Sequence, residues 1–341
     1  LMPDKTHSTR YAQLKQSGAD AMSGLRPGQR VFIGSGCGEP QHLVNTLLDL
    51  AGGLADLEIV RLLSLESSLV AMMAEESQDR LFNVRSIYLG SGQTRSLQAN
   101  QRFIAPIPLS SVPRIFIEGH LPLDLALVQV TPPDAYGWMN LGISVDVTLA
   151  AAQSAAKVIA QVNPRMPRVP GQGIIHIEQV DAVVEEDEAL HSPYPLDVYR
   201  AAEPLARLAA GLVEDGATLH LGLGSTSEAV ARALADKNDL GIHTEILTEE
   251  LLDLAFRGVV TNRYKTVNRG KTVAGSAIGT NTLYTALNDN PAVEFRPSDF
   301  VNNPAVIARH HRMTSICVAG TIDLTGQVLA DALPQNHFSG V

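Results

Sequence analysis

The apolar and polar positions of the chain alternate between two periods. Short runs such as "RVFIGSG", "LEIVRLLSL" and "LDLALVQV" have the aliphatic density of buried strands, while "PQHLVNTLLDLAGGL" and "VDVTLAAAQSAAKVIAQVN" space their apolar side chains as helices do. Strand and helix in turn predict a mostly parallel sheet covered by helices on both faces. The pattern breaks at "EEDEALHSPYP", Glu185 to Pro195, where an acidic run meets two prolines, and helical spacing resumes at Leu196. The expected boundary lies there, between an N-terminal α/β domain over residues 1–185 and a C-terminal α/β domain over 196–341. The two halves also open alike. Gly28 to Leu47, "GQRVFIGSGCGEPQHLVNTL", and Gly216 to Leu234, "GATLHLGLGSTSEAVARAL", each run from a glycine through an apolar strand, a Gly-x-Gly and a polar turn into an amphipathic helix. Two related α/β domains follow from that likeness.

Composition narrows the classes of partner. A chain of 341 residues has room for about two domains and a sizeable core. A formal charge of -10 disfavours a nucleic-acid groove, which needs concentrated Lys and Arg, and favours a small-molecule ligand. Apolar stretches are broken by charge or glycine before they reach the length of a membrane span. Cys37 and Cys317 lie far apart and form neither a CxxC nor a disulfide framework, which fits a reducing, cytoplasmic setting. The opening "LMPDKTHSTRYAQLKQ" lacks the basic-then-apolar pattern of an export signal. No metal site is expected.

Each Gly-x-Gly loop permits a tight turn ahead of a helix whose first N–H groups attract an anion. Neither completes the dinucleotide fingerprint. Gly34, Gly36 and Gly38 have the wrong spacing, and Gly222 and Gly224 lack a third glycine. A single loop of this kind reads as a structural turn; two at matching points of a repeat point to a ligand.

The segment "LGIHTEILTEELLDL", Leu240 to Leu254, starts as a buried strand, turns polar at His243, Thr244 and Glu245, and becomes amphipathic. By position alone Glu245 reads as an acid in the first turn of a helix, worth about 0.3 to 1 kcal/mol against the dipole. His243 shares a strand face with Glu245, and reads by itself as a satisfied polar group. Glu249, Glu250 and Asp253 decorate a solvated helix face.

The stretch from Leu240 through "TNRYKTVNRGKTVAGSAIGTNTLYTALNDNPAVEF", followed by "VNNPAVIARHHRMTSICVAGTIDLTGQVLAD", resembles the acetyl-CoA hydrolase/transferase family, in particular its 4-hydroxybutyrate CoA-transferase-like branch of class I CoA-transferases. "GSGCGEP", "LGISVDVTLAAAQSAAKVIAQVNPRMPR" and "GIIHIEQVD" extend the resemblance over nearly the whole chain. It implies that Glu245 is a nucleophile that forms a glutamyl-CoA thioester in ping-pong transfer of CoA between an acyl-CoA and a short-chain carboxylic acid. It implies that Asn302 of "VNNP" helps to form the oxyanion hole, with adjacent Asn303 as the alternative donor and turn formation as the alternative role. Gly222, Leu223, Gly224, Ser225 and Thr226 are implied to bind CoA, which is a substrate rather than a tightly bound cofactor. Ser227 stands where members of the family often carry proline, which puts the rigidity of that loop in question.

The same resemblance implies a homodimer and leaves two alternatives: acyl-CoA hydrolysis on the same glutamate, or a non-catalytic acyl-CoA-binding fragment. The latter follows from an expected truncation, since members of the family continue past "FSG" with a glycine-rich loop and further sheet elements. "TNRYKTVNRGK" holds Arg263, Lys265, Arg269 and Lys271, and reads either as a solvated hairpin or as a CoA phosphate site. Met72, Met73 and Trp138 are candidates for lining an acyl pocket or for filling the core.

Overall fold

The structure is a computed structural model that describes residues 5–50, 54, 56–63, 82–87, 102–104, 107–193, 202–319, 321–330, 332–333 and 336–337. In the first half, β1 (Arg30–Ile33), β2 (Leu57–Arg61), β3 (Phe82–Ser86), β4 (Arg102–Ile104), β5 (Leu125–Val130), β7 (Val158–Val162) and β9 (Ala182–Glu185) form a seven-stranded sheet in the order β4-β3-β2-β1-β5-β7-β9. Every pairing in it is parallel. The strands β6 (Trp138–Asn140) and β8 (Ile174–His176) make a separate antiparallel pair. In the second half, β10 (Thr218–Leu221), β11 (Gly241–Leu247), β12 (Thr272–Ala277), β13 (Val293–Phe295) and β14 (Met313–Ile316) form a parallel sheet in the order β13-β12-β11-β10-β14.

The second order repeats the first five strands of the first sheet: β13, β12, β11, β10 and β14 stand where β4, β3, β2, β1 and β5 stand. This is the structural form of the likeness between the two openings. Both β1 and β10 lead through a Gly-x-Gly into a helix, at Gln41–Leu50 and Ser225–Ala233. Strands covered on both faces need continuous apolar sequence, and β5 and β7 are buried at every position. The run "VDVTLAAAQSAAKVIAQVN" divides, with a helix at Thr148–Ser154 followed by β7, because its β-branched second half is buried between β5 and β9.

Alternation along β1 sorts its side chains onto two faces. Val31 and Ile33 join one core cluster with Leu43, Leu47 and Leu127, while Phe32 belongs to a larger one with Val128, Ile143, Val145, Leu219, Ile246 and Phe295. That larger core is shared by both halves of the chain. Backbone bonds stitch the same seam. Ala277 N donates to Ile143 O at 2.9 Å, Val145 N and Asp146 N both donate to Gly275 O at 3.1 and 3.0 Å, and Ser298 N donates to Asp146 O at 3.0 Å. Gly171, at φ +132°, lies so close to Phe295 that a Cβ would sit 2.0 Å from its carbonyl oxygen, so only glycine fits there. Among the described residues no helix is long and apolar enough to cross a membrane. Met72 and Met73 lie outside the described residues, and Trp138 is half-exposed on β6.

Candidate active site

The polar triplet His243, Thr244 and Glu245 lies inside β11, not at a corner, and the helix starts four residues after Glu245 at Glu249 with Thr248 as its N-cap. Flanking Ile242, Ile246 and Leu247 keep this segment extended, and Glu249 and Glu250 are the acids of the first helical turn. A helix-dipole role for Glu245 is thereby excluded. Glu249 accepts a hydrogen bond from Thr280 Oγ1 at 2.5 Å, and Glu250 and Asp253 pair with Arg232 and Arg257 at the surface.

Pairing between β11 and β12 runs at His243–Val273 and Thr244–Ala274 and resumes at Ile246–Ser276. At the intervening level, Gly275 turns its carbonyl to Val145 and Asp146. A Cβ on Gly275 would lie 3.1 Å from Glu245 O, so the missing side chain relieves crowding against the backbone of β11 at this level. Glu245 therefore sits where the ladder is interrupted, in a cavity shared with Ser35, Cys37, Ser144, Asp146 and Asn302.

Asn302 caps the C-terminal end of a one-turn helix, Ser298–Val301, and its Nδ2 donates to Glu245 Oε2 at 3.2 Å. Asn303 faces elsewhere: its Oδ1 accepts from Ala305 N at 2.9 Å and its Nδ2 donates to Asp299 O at 3.0 Å, which makes it the N-cap of the next turn. Of the two adjacent asparagines, only Asn302 meets the carboxylate.

Asp146 was without a role in the sequence. Its Oδ1 accepts from Val147 N at 2.6 Å, Thr148 N at 3.0 Å and Thr148 Oγ1 at 2.9 Å, and its Oδ2 from Ser144 Oγ at 3.2 Å and from Ser35 Oγ. Burial pushes the Glu245 carboxyl up to about 7; the Asn302 amide opposes this and the negative charge of Asp146 adds to it. Burial also pushes the Cys37 thiol up to about 11, so it stays protonated beside the carboxylate. The only sequence signal for this group was "GISVDVT", in which Ser144 and Asp146 alternate with apolar residues as a strand-like segment ahead of a helix.

Gly222, Leu223, Gly224, Ser225 and Thr226 follow β10, at the C-terminal end of the parallel sheet where open α/β folds hold ligands. They do not line the Glu245 cavity, but Thr244 Oγ1 donates to Leu221 O at 3.2 Å and ties the end of β10 to the middle of β11. Gly224 has φ +120° with open space around its Cβ position, and no side chain caps the helix that starts at Ser225. Ser227 is buried, and its Oγ lies 3.6 Å from the Cβ position of Gly222. The basic run is occupied by its own surroundings. Lys265 is buried and donates to Ile242 O and Lys271 O, both at 2.6 Å, Arg263 pairs with Asp239, and Arg269 Nε donates to Arg263 O at 2.6 Å.

Two parallel α/β sheets that meet at a buried carboxylate and an amide are the arrangement this chain shares with solved CoA-transferases. A solved 4-hydroxybutyrate CoA-transferase from Porphyromonas gingivalis has this fold with a TM-score of 0.80 and 30% identity, covering 94% of this chain and 77% of its own. The chain belongs to the acetyl-CoA hydrolase/transferase family, whose N-terminal domain matches residues 2–195 and whose C-terminal domain matches residues 279–341. It is 35% identical over 331 residues to the 4-hydroxybutyrate coenzyme A transferase of Clostridium kluyveri, covering 97% of this chain and 76% of that protein. The structure of RipA from Yersinia pestis is similar at a TM-score of 0.88 and 31% identity, covering 96% of this chain and 76% of that one.

Proposed function

We propose that the protein transfers CoA between an acyl-CoA and a short-chain carboxylic acid through a thioester on Glu245. The observation that carries this is the Asn302 amide directed at the Glu245 carboxylate inside the cavity at the seam. A carboxylate needs no base to attack a thioester carbonyl once it has lost its proton. Attack by Glu245 gives a tetrahedral intermediate, which expels CoA thiolate to leave an acyl-glutamyl anhydride. The thiolate then attacks the glutamyl carbonyl, the acyl group departs as a carboxylate, and Glu245 holds CoA as a thioester. An acceptor carboxylate takes CoA by the same steps in reverse. Asn302 stabilises the negative oxygen of the tetrahedral intermediates, and the loop from Gly222 to Thr226, with its uncapped helix start, receives CoA phosphate.

The same reading divides the chain into residues 1–185 and 196–341, the latter carrying the glutamate, and takes the protein to be a cytoplasmic homodimer. Curated relatives named as CoA-transferases support transfer over hydrolysis. Incubation with acyl-CoA in the absence of an acceptor tests it. The glutamyl-CoA species should accumulate, be cleaved by hydroxylamine and map to Glu245 by peptide mass. Glu245→Asp should lose about a hundredfold in rate, because the nucleophile retreats by about 1 Å. CoA transfer at a near-normal rate by Glu245→Ala, or an adduct on another residue, would refute the assignment. Release of free CoA with no carboxylate added would assign the protein to hydrolysis instead.

A further inference from the structure

His243 is a buried group for which the proposed chemistry has no use. It is 1% exposed and lies two positions before Glu245 on β11. Its Nε2 is 2.8 Å from the carbonyl oxygen of Val301, the residue before Asn302. A carbonyl only accepts, so Nε2 carries the proton and donates. Burial holds the ring down at about 4, which keeps it neutral with a single N–H. The ring is fixed by its neighbours: the His310 ring lies 4.6 Å away at 50°, and the Phe300 ring 6.2 Å away.

The far end of the same one-turn helix is held from the other half of the chain, where Ser298 N donates to Asp146 O and Ser298 Oγ donates to Leu109 O, both at 3.0 Å. Asn302 thus ends a short helix that is pinned at both ends, and its amide direction follows from where Val301 is held. Alternation along a strand puts residues two apart on one face, about 6.5 to 7 Å apart. From that face β11 presents Glu245 directly and Asn302 through His243.

We propose that His243 is a positioning residue that sets the Asn302 amide against Glu245 by holding the Val301 carbonyl. The proposal rests on Glu245 and Asn302 acting as described above. In the full chain, His243→Ala should lower kcat for CoA transfer about tenfold, the equivalent of one buried hydrogen bond, and leave KM for acyl-CoA within about twofold. His243→Gln, whose side-chain nitrogen reaches about as far as Nε2, should recover most of the rate, and His243→Met, of similar size with no donor, should not.

A double-mutant cycle separates positioning from general support. If His243 acts through Asn302, His243→Ala should cost nothing further in an Asn302→Ala background. Losses that multiply across the two variants would overturn the proposal, as would equal kcat for the Gln and Met variants, a comparison that stands even if His243→Ala does not fold. A wild-type rate in Asn302→Ala alone would instead sink the role given to Asn302, and the inference with it. A slow Asn302→Ala together with an additive cycle would sink only the role of His243.

Discussion

The Asn302 amide nitrogen lies 3.2 Å from Glu245 Oε2, although 57 residues separate the two in the chain. Glu245 is delivered by a central strand and Asn302 by the end of a one-turn helix, so their distance is fixed by how β11, β12 and the 143–146 segment pack. A donor placed this way acts most strongly once charge moves onto the substrate oxygen.

Asn302→Ala should therefore lower kcat by about a hundredfold or more and change KM for acyl-CoA by less than about twofold. Steady-state kinetics with saturating acceptor read both. Weakened CoA binding at a normal turnover rate would place Asn302 in substrate binding.

The cavity around Glu245 also holds Cys37, whose thiol stays protonated, and Asp146, whose negative charge adds to the rise of the Glu245 carboxyl. With Glu245 held at about 7, the nucleophilic carboxylate forms as pH rises through that value, and kcat/KM should climb between about pH 6 and 8 and then level off. Asp146→Asn keeps an oxygen for the Val147 and Thr148 N–H groups and removes the negative charge. The rising limb should then move to lower pH. An unmoved limb in a well-folded Asp146→Asn protein would show that the two carboxylates do not interact.

The same carboxyl affects stability with a definite sign. Its pKa is about 7 when folded against an ordinary 4.5, so the folded state retains its proton over that interval and the unfolded state does not. This contribution to stability is complete below pH 4.5, is lost as pH rises through 7, and stays lost above. Glu245→Gln should stabilise the protein at pH 8 by on the order of 3 kcal/mol and have little effect at pH 4. Denaturant melts at the two pH values provide the comparison.

The pairing of Arg263 with Asp239, just before β11, and the hydrogen bond from Arg269 Nε to Arg263 O engage both guanidinium groups. Arg263→Ala and Arg269→Ala should each leave KM for acyl-CoA within about twofold, since exposed pairs contribute little and neither side chain lines the cavity. A tenfold rise in KM with either variant would return this run to the CoA phosphates.

The sequence by itself determined the parallel α/β class and the repeat of strand, Gly-x-Gly and helix, because burial on both faces of a sheet demands near-continuous apolar runs and these alternate with helical periodicity. Through its family resemblance it also singled out Glu245, Asn302 and the loop from Gly222 to Thr226. What it left open were matters of direction and distance. Whether Glu245 caps a helix or sits within a strand depended on where β11 ends, and adjacent Asn302 and Asn303 differ only in which way a one-turn helix points them. Lys265 is basic in the sequence yet buried in the fold, where its stem fills space beside Gly241, two backbone carbonyls accept from its Nζ, and burial pulls its pKa down to about 7. The environment of Glu245 was decided by tertiary structure alone. Asp146 lies about a hundred residues earlier, and its field reaches Glu245 because the Gly275 carbonyl accepts from Val145 N and Asp146 N and holds the 143–146 segment against β12. Electrostatic interaction depends on separation in space, and separation in space across a seam is not written in local sequence.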